Sequence, residues 1–338
     1  MVNEELRISD GGERLIGKRW KVLDKGFVGL VSYHGTDALI EAAARCSYQK
    51  GTRTANDRKG LIRYLIRNHH SSPVEQGNIT FELKMPLFCI QQLLRHRTAR
   101  LNQESFRYSE VKDEVCQTEE NEWRLQSGSN KQGSSGLLEK WPENDEIKAE
   151  YQQKCLEQFN SPKYESGPAV YLNYMEDNIQ KYAREVYEER LKFGVAKEQA
   201  RKDISVSTYS TLYWQMDIRN LLHFMSLRCD SHAQLEIRMY ANIIAGIVKE
   251  LFPITFEAWY DYHFAGTSFS RMEIQLLNYE MGLQSGEIEV QSEEDPLWVE
   301  AERLGLGKRE FDEYAENTKI KPLQDFTLGQ YEIYNPSK

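Results

Sequence analysis

The chain contains one segment with an unusual concentration of cations, Arg95-His96-Arg97-Thr98-Ala99-Arg100-Leu101-Asn102-Gln103-Glu104-Ser105-Phe106-Arg107. Neither a helix nor a strand requires four arginines, a histidine, an asparagine and a serine in so short a run in order to fold. Arginine presents a planar fork of hydrogen-bond donors that suits phosphate oxygens and carbonyl edges. The segment therefore predicts a ligand that is anionic and heterocyclic, which is the description of a nucleotide.

The composition of the whole chain indicates a globular protein whose basic surface is local. Of the 338 residues, 40% are hydrophobic, which is ample for the core of one large or two ordinary domains. The formal net charge of −9 argues against a general nucleic-acid binder, because such proteins usually present an overall basic face. We therefore expect a small-molecule partner and no nucleic acid.

Cysteine usage and hydropathy indicate the compartment. The five cysteines are scattered without a Cys-x-x-Cys pair, which favours reduced thiols and implies no metal site. Residues 1–6 are acidic and lack an apolar run, and no stretch of about 18 apolar residues occurs anywhere. We therefore expect neither a signal peptide nor a membrane partner, and a cytoplasmic location.

Hydrophobic periodicity places the arginine-rich segment behind a strand and a short helix. Residues 79–85 alternate between apolar and polar side chains, a period of two that predicts a strand with one buried face. Pro86 then opens a helix over 87–94, which delivers the segment at its C-terminal end, where cations suit the helix dipole.

Other elements follow from the same patterns. Loose alternation predicts a further strand over 20–33, and the β-branched and aromatic residues of 205–213 predict another. Thr36 and Asp217 are predicted N-caps, and Ser231 with Gln234 forms a capping-box pattern. Helical periodicity predicts, in chain order, helices over 36–44, 56–67, 169–193, 217–227, 235–251, 271–281 and 296–318. A polar, glycine-rich stretch at about 112–166 interrupts the pattern, and its composition alone predicts a disordered excursion.

A second polar group follows an apolar helix, in Leu227-Arg228-Cys229-Asp230-Ser231-His232-Ala233-Gln234. The charge of Arg228 lies at the end of a buried helix and needs a partner. A ligand would supply one. The alternative is a structural ion pair with Asp230 or Glu236.

These motifs together resemble those of the flavin-dependent thymidylate synthases. The first segment is similar to the family signature Arg-His-Arg-x-x-Ser-x-Asn-Glu-x-Ser-x-Arg, although Arg100 and Gln103 replace its first serine and its glutamate. The run 227–234 resembles Leu-Arg-x-Asp-Ser-His-Ala-Gln, residues 198–201 match Glu-x-Ala-Arg, and residues 70–75 resemble His-Thr-Ser-Pro-Phe-Glu.

The resemblance has limits along the chain. It covers about 70–110 and 198–262, and the N-terminal twenty residues and everything past about 266 lie outside it. Trp123-Arg124-Leu125-Gln126 and Asn130-Lys131-Gln132-Gly133 look like a segment of longer family members, which argues against disorder in the insertion.

The resemblance implies an α/β fold like that of the flavin-dependent thymidylate synthases, with a central, mostly antiparallel sheet packed with helices. It implies a catalytic domain over 1–265, with the polar insertion at about 112–166, and leaves 266–338 as a helical C-terminal extension. It also implies a homotetramer with active sites shared between subunits.

The implied reaction is the reductive methylation of dUMP to dTMP. Methylenetetrahydrofolate would supply the carbon, and NADPH or NADH would supply the reducing equivalents through FAD. Uracil C5 is a poor nucleophile, which cysteine-dependent synthases activate by thiolate attack at C6. None of the five cysteines stands in such a setting, so the protein's task would be orientation and charge stabilisation.

The resemblance also implies roles for individual residues. Arg228 would polarise the uracil and favour its ionisation at N3, and Ser105 is the other candidate catalytic residue. The residues implied for binding dUMP are Gln92, Arg95, Gln103, Glu104, Ser105, Phe106, Arg107, Arg201 and Arg228, with the phosphate on Arg107, Arg201 and the Ser105 hydroxyl. Those implied for FAD are His70, Ser72, Arg95, His96, Arg97, Gln103, Asp217, Arg219 and His223. For His70, an ordinary loop histidine is the alternative.

Five positions depart from the family pattern. Asp217 and His223 stand where relatives usually have asparagine, and Gln103 both donates and accepts hydrogen bonds. Arg100 adds a large cation, and Phe106 fills a position often occupied by a small residue. These changes leave open another pyrimidine nucleotide, such as UMP, or hydroxymethylation. An RNA-binding module is the non-enzyme alternative.

Overall fold

A central antiparallel sheet is built around the strand that alternation predicts. The structure, a computed structural model, describes residues 6, 9, 11–46, 57–128, 133–141, 143–159, 167–288, 295–319 and 323–335. Its strands are β1 Arg19–Val22, β2 Gly26–His34, β3 Asn78–Pro86, β4 Arg100–Gln103, β5 Arg124–Gln126, β6 Ser134–Leu137 and β7 Tyr209–Asp217.

Helices in the described ranges account for most of the remaining chain. They are α1 Gly12–Leu15, α2 Asp37–Arg45, α3 Arg58–Arg67, α4 Leu87–Leu93, α5 Asp145–Phe159, α6 Pro168–Lys192, α7 Lys197–Ala200, α8 Ile218–Arg228, α9 Leu235–Leu251, α10 Pro253–Trp259, α11 Arg271–Ser285, α12 Pro296–Leu304 and α13 Lys308–Asn317. None of these helices is both long and apolar enough to cross a membrane.

The main sheet has five strands in the order β1-β2-β3-β7-β4, and every neighbouring pair is antiparallel. In β3 the side chains of Ile79, Phe81 and Leu83 are fully buried, as the alternation predicts. The chain thus has the expected α/β architecture with an antiparallel central sheet. Helix α9 carries a wide apolar face and packs against β1 and β2.

The predicted strand over 20–33 is instead a hairpin. The chain turns at Leu23, whose φ is 57°, so that β1 and β2 pair with Lys21 opposite Phe27. Gly26 is required where β2 begins, because a Cβ atom there would lie 2.1 Å from the hydroxyl of Tyr240.

The predicted strand over 205–213 begins later and runs further. Ser205 and Thr208 form a turn, since the amide of Thr208 donates to the Ser205 carbonyl at 3.0 Å. The strand then continues to Asp217 because β3 pairs with it along its whole length. It leads directly into α8, where the predicted cap is confirmed: the Asp217 carboxylate accepts from the amide of Asn220 at 2.9 Å.

The predicted capping box of Ser231 and Gln234 is wrong. Helix α9 begins behind Gln234, but no side-chain hydrogen bond caps it. Asp230 holds the preceding turn instead: its carboxylate accepts from the amide of His232 at 2.8 Å, and its carbonyl accepts from the amide of Ala233 at 3.0 Å. The Gln234 side chain is therefore free to bond elsewhere.

The disorder that composition predicts for the insertion is wrong for its described residues. They form the hairpin β5-β6 and helix α5. The segment leading into the hairpin is held on α6 by polar contacts, with Trp123 Nε1 donating to Asn173 at 2.5 Å and the amide of Thr118 donating to Glu176 at 3.0 Å. Composition did not predict this order, because the segment is poor in apolar residues and is held by polar contacts instead. Asn130, Lys131 and Gln132 lie outside the described residues.

The chain divides into two compact units, one of residues 1–256 with 326–338 and the other of residues 257–325. The smaller unit has its own core, which includes Leu276, Ala301 and Phe311. The helix predicted over 296–318 is broken there into α12 and α13, because Gly305 takes a left-handed conformation with φ of 91°. The division into 1–265 and 266–338 concerns function and remains a proposal.

The tail of the chain, residues 326–338, belongs to the larger unit. The amide of Tyr334 donates to the carbonyl of Arg19 at 2.8 Å, and Ile333 forms a bridge to Trp20. The tail therefore covers the edge of β1, which would otherwise present unpaired backbone groups.

Candidate active site

The arginine-rich segment begins with a turn that leaves its first arginines exposed and partly buries its histidine. Helix α4 begins behind Pro86 and ends at Leu93. The amide of His96 then donates to the Leu93 carbonyl at 3.0 Å, which directs the next residues towards β4. Arg95, Arg97 and Arg100 are exposed, whereas His96 is half-buried.

His96 lies against the end of α8. Its ring packs edge-on against Phe224 with 4.8 Å between centroids, and its Nε2 accepts from Nε of Arg228 at 3.1 Å. Burial, and then the charge of Arg228, lowers the pKa of His96 to about 4. The imidazole is therefore neutral near pH 7, as an acceptor of the arginine hydrogen bond must be.

Arg228 is a half-buried cation whose hydrogen-bond partners are two neutral side chains. Its Nη1 donates to Oε1 of Gln92 at 3.4 Å, and burial lowers its pKa. Among the described residues it has no carboxylate partner, because Asp230 bonds His232 and Glu236 pairs with Arg124 at 2.5 Å. The structural ion pair considered as the alternative for Arg228 is therefore absent from the described chain, and the guanidinium retains donors for an anionic ligand.

The segment beyond β4 is fixed against β7. Gln103 uses its amide as a donor, with Nε2 bonding Ser210 Oγ at 3.0 Å. The amide of Glu104 donates to the carbonyl of Thr211 at 2.9 Å. Ser105 then opens a turn in which its hydroxyl accepts from the amide of Arg107 at 3.4 Å. Gln103, which stands where the family signature has a glutamate, therefore contacts the sheet in this chain.

Phe106 anchors this turn through its ring. The side chain is 5% exposed and belongs to a hydrophobic cluster with Val111, Tyr187 and Ala200. Because the ring is committed to this cluster, any contact with a nucleotide at this position falls to the backbone. The neighbouring Arg107 is directed outward.

Two candidate phosphate ligands are associated with α7: Arg107, which pairs with Glu198 of this helix, and Arg201, which directly follows it. Arg107 forms an ion pair with Glu198 at 3.4 Å, but both side chains are more than half exposed, so the pair is weak. Arg201 has a buried Nε that finds no acceptor in the described part of the chain. A loosely paired cation and an unsatisfied arginine donor each suit an oxyanion such as phosphate.

The loop over 70–77 reaches the start of α8. The carbonyl of Gly77 accepts from the amide of Ile218 at 2.9 Å, and a Cβ atom on Gly77 would lie 2.9 Å from the buried ring of Phe252. His70 and Ser72 are exposed on this loop, and the His70 ring lies 5.5 Å from that of Tyr64.

Two residues implied for the flavin lie beside this loop. The carboxylate of Asp217 caps α8 and also accepts a hydrogen bond from Nδ2 of Asn220 at 2.7 Å. Arg219 is exposed and donates to Oδ1 of Asn220 at 3.1 Å. His223 is exposed on the same helix, with its ring centroid 6.5 Å from that of His96.

The donor set suits a dinucleotide. Arg95, Arg97 and Arg219 are exposed and have no carboxylate partner among the described residues, so they remain able to bind a pyrophosphate. Asp217 fits less well, because its negative charge is engaged as a helix cap and does not suit a phosphate.

The contacts of the described residues form two groups. Hydrogen bonds join Gln92, His96, Arg228 and Gln234, which we call the Arg228 group. The Arg107 group is the ion pair of Arg107 with Glu198, together with Arg201, three residues beyond Glu198 in the chain. No hydrogen bond or ion pair joins the two groups within the described part of the chain. Sequence reasoning assigned no site role to Gln234, whose amide accepts from Gln92, although it stands in the Asp-Ser-His-Ala-Gln run.

The fold and the site together define an α/β enzyme with a site for a nucleotide. A family described as thymidylate synthase complementing protein matches residues 29–254. A flavin-dependent thymidylate synthase of Treponema denticola is 39% identical over 273 residues, covering 80% of this chain and 92% of that protein. One of Rickettsia typhi is 36% identical over 304 residues, covering 90% and 95%. The chain belongs to the flavin-dependent thymidylate synthase family.

Solved structures agree with this assignment. A UMP/dUMP methylase, PolB of Streptomyces cacaoi, bound with 5-Br dUMP, superposes with a TM-score of 0.56 at 30% identity, covering 72% of this chain and 98% of that chain. The same methylase bound with 5-Br UMP gives a TM-score of 0.55.

The predicted C-terminal limit of the resemblance, near residue 266, is wrong. A match that covers 90% of this chain must extend beyond that residue. The relative from Rickettsia typhi therefore shares part of the C-terminal region. Sequence motifs did not reveal this, because the signature residues all lie before residue 266.

Proposed function

We propose that this chain methylates dUMP to dTMP, with methylenetetrahydrofolate as carbon donor and NADPH or NADH as reductant through FAD. The observation that carries the proposal is Arg228, a half-buried cation that is held by a neutral histidine and an amide and lacks a carboxylate among the described residues. The family membership supplies the reaction class.

The Arg228 guanidinium is suited to a pyrimidine that becomes negatively charged. When uracil loses its N3 proton, charge spreads over N3 and the two flanking carbonyl oxygens, which then form a row of acceptors. Arginine has five N–H donors, and the contacts with His96 and Gln92 leave others available. An interaction that strengthens as this charge develops lowers the barrier to reaction at C5.

The Arg107 group supplies donors for the nucleotide phosphate. The exposed guanidinium of Arg107, the unsatisfied Nε of Arg201 and the Ser105 hydroxyl are the groups we assign to it. Gln103, Glu104 and Arg95 would contact the rest of the nucleotide. Ser105, a candidate catalytic residue, acts in this proposal through its hydroxyl as a ligand of the substrate.

The flavin would be held by the exposed cations of the first segment and of α8. We assign Arg95, Arg97 and Arg219 to its phosphates, and His70, Ser72, His96 and His223 to the remainder. The chemistry that FAD supplies when bound is hydride transfer to the pyrimidine.

The separation of the two groups supports active sites shared between subunits. Within one chain no hydrogen bond or ion pair joins the Arg107 group to the Arg228 group among the described residues, an arrangement compatible with a phosphate site supplied by a second subunit. We therefore propose the homotetramer that the family resemblance implies, and a cytoplasmic location.

UMP is the second candidate substrate. The solved relatives that superpose on this chain are described as UMP/dUMP methylases and were crystallised with analogues of both nucleotides. Arg100 and Gln103, which depart from the family signature, lie on β4 near the proposed nucleotide site.

The experiment compares the two nucleotides directly. The purified protein is incubated with FAD, NADPH and methylenetetrahydrofolate, and with either dUMP or UMP, and the product is identified by mass. We expect dTMP from dUMP at the higher kcat/KM. A product larger by a hydroxymethyl group, or conversion of UMP alone, would overturn the dUMP methylation proposal. Binding of RNA without bound flavin would overturn the enzyme proposal.

A further inference from the structure

Gln234 contacts the Arg228 group through a chain of two amides. Its Oε1 accepts a hydrogen bond from Nε2 of Gln92, and Oε1 of Gln92 accepts from Nη1 of Arg228 at 3.4 Å. Gln234 stands at the N-cap position of α9, but its side chain makes no capping hydrogen bond. The role of this side chain is therefore not explained by the start of the helix.

The chemistry of the three side chains fixes which way each amide points. A guanidinium only donates hydrogen bonds, so Gln92 must present its oxygen to Arg228. The NH2 group of Gln92 then needs an acceptor, which the oxygen of Gln234 provides. Without that acceptor, a half-turn of the Gln92 amide would bring its NH2 group against the donors of Arg228. The hydrogen bond to Gln234 therefore favours the orientation of the Gln92 amide in which its oxygen faces Arg228.

The backbone that carries Gln234 is held from both sides. Nη1 of Arg238 donates to the carbonyl of Ser231 at 2.6 Å, which closes the turn before α9. Glu236, in the first turn of α9, pairs with Arg124 of β5 at 2.5 Å, and both side chains are largely buried. The insertion thus contributes a cation that anchors the first turn of α9, which directly follows Gln234.

We propose that Gln234 is a positioning residue for the reaction: it orients Gln92, which together with His96 holds the Arg228 guanidinium in the direction of the pyrimidine. The proposal rests on the proposed function. A hydrogen bond between two solvent-accessible amides contributes little to the stability of the fold. The effect of Gln234 therefore falls on turnover.

The test is a double-mutant cycle on the full-length enzyme with FAD bound. Gln234→Met keeps the size of the side chain and removes its acceptor, and we expect it to lower kcat roughly three- to tenfold with a smaller change in the KM for dUMP. Gln234→Glu keeps an oxygen acceptor and should restore most of the rate. In a Gln92→Met background, Gln234→Met should have little further effect, because its contact is already lost. Gln91→Met, an exposed change on the same helix, serves as the matched control and should behave as the wild type.

Three outcomes would overturn the proposal: wild-type kinetics for Gln234→Met, losses that multiply fully in the double variant, or a Gln234→Glu enzyme as slow as Gln234→Met. A change in melting temperature without a change in kcat would assign Gln234 a structural role. If the wild-type protein binds dUMP without methylating it, the proposed function is wrong, but the positioning role of Gln234 can still be tested. The same cycle can then be measured on equilibrium binding of dUMP, where we expect roughly threefold weakening for Gln234→Met and the same lack of additivity.

Discussion

Nε of Arg228 donates to Nε2 of His96 over 3.1 Å, although the two residues are 132 positions apart in the chain. The contact joins the arginine-rich segment to the end of α8 and holds a half-buried guanidinium that faces no carboxylate among the described residues. It also requires a neutral imidazole, because a protonated ring has no acceptor to offer. The two sequence motifs therefore function as one site.

The first prediction concerns the protonation of His96. Its pKa in the folded chain is about 4, against an ordinary value near 6.5, so the unfolded chain binds a proton in this window that the folded chain does not. The contribution of His96 to stability is thus lost as the pH falls from about 6.5 towards 4. We expect the melting temperature of the wild type to drop more between pH 7.5 and 5 than that of His96→Gln, which keeps an acceptor. Equal drops in the two proteins would contradict the assignment.

The second prediction concerns the thiols. Burial raises the pKa of Cys116 to about 12 and raises those of Cys89 and Cys229 as well. None of these three is a thiolate at neutral pH, and Cys46 is exposed. A variant with all five cysteines replaced by alanine or serine should still form methylated product, with a lower melting temperature because buried thiols pack as small hydrophobes. Complete loss of turnover in a folded variant that still binds FAD would refute the mechanism.

The third prediction concerns Gly77, which links the loop over 70–77 to α8. Its added Cβ would lie 2.9 Å from the fully buried ring of Phe252 and 3.0 Å from Ile218. We expect Gly77→Ala to destabilise the fold by about 1–3 kcal/mol, the usual cost of overpacking, and to weaken FAD binding because Ser72 and Arg219 are displaced. Gly128→Ala, at an open position, is the control. Unchanged melting temperature and FAD affinity in Gly77→Ala would show that the loop does not depend on this contact.

Local patterns predicted the elements that form the site. The alternation over 79–85, the helix opened by Pro86 and the cap at Asp217 depend on residues close in sequence, and the structure contains all three. Arg228 was predicted to need a partner, either a ligand or a structural carboxylate, because an apolar helix ends in its charge; among the described residues it has no carboxylate partner.

The errors arise where distant residues decide the structure. Ser231 and Gln234 match a capping box, but Asp230 bonds the amides of the turn and Gln92 bonds the amide of Gln234 from 142 residues away. The assignment of Phe106 to the nucleotide stays a prediction, but sequence reasoning missed that its ring packs in a cluster with Tyr187, which no local pattern indicates. The insertion looks disordered by composition because its anchors are polar contacts to α6 and α9.

The central claim is that Arg228 stabilises negative charge developing on the pyrimidine, and steady-state kinetics of Arg228→Ala beside Arg107→Ala test it most directly. A charge-assisted hydrogen bond contributes about 1.5–3 kcal/mol. Arg228→Ala should therefore lower kcat roughly ten- to a hundredfold, whereas Arg107→Ala should mainly raise the KM for dUMP, since a phosphate contact is made equally in the ground and transition states. A folded, FAD-bound Arg228→Ala enzyme with the kcat of the wild type and only weaker dUMP binding would contradict the account.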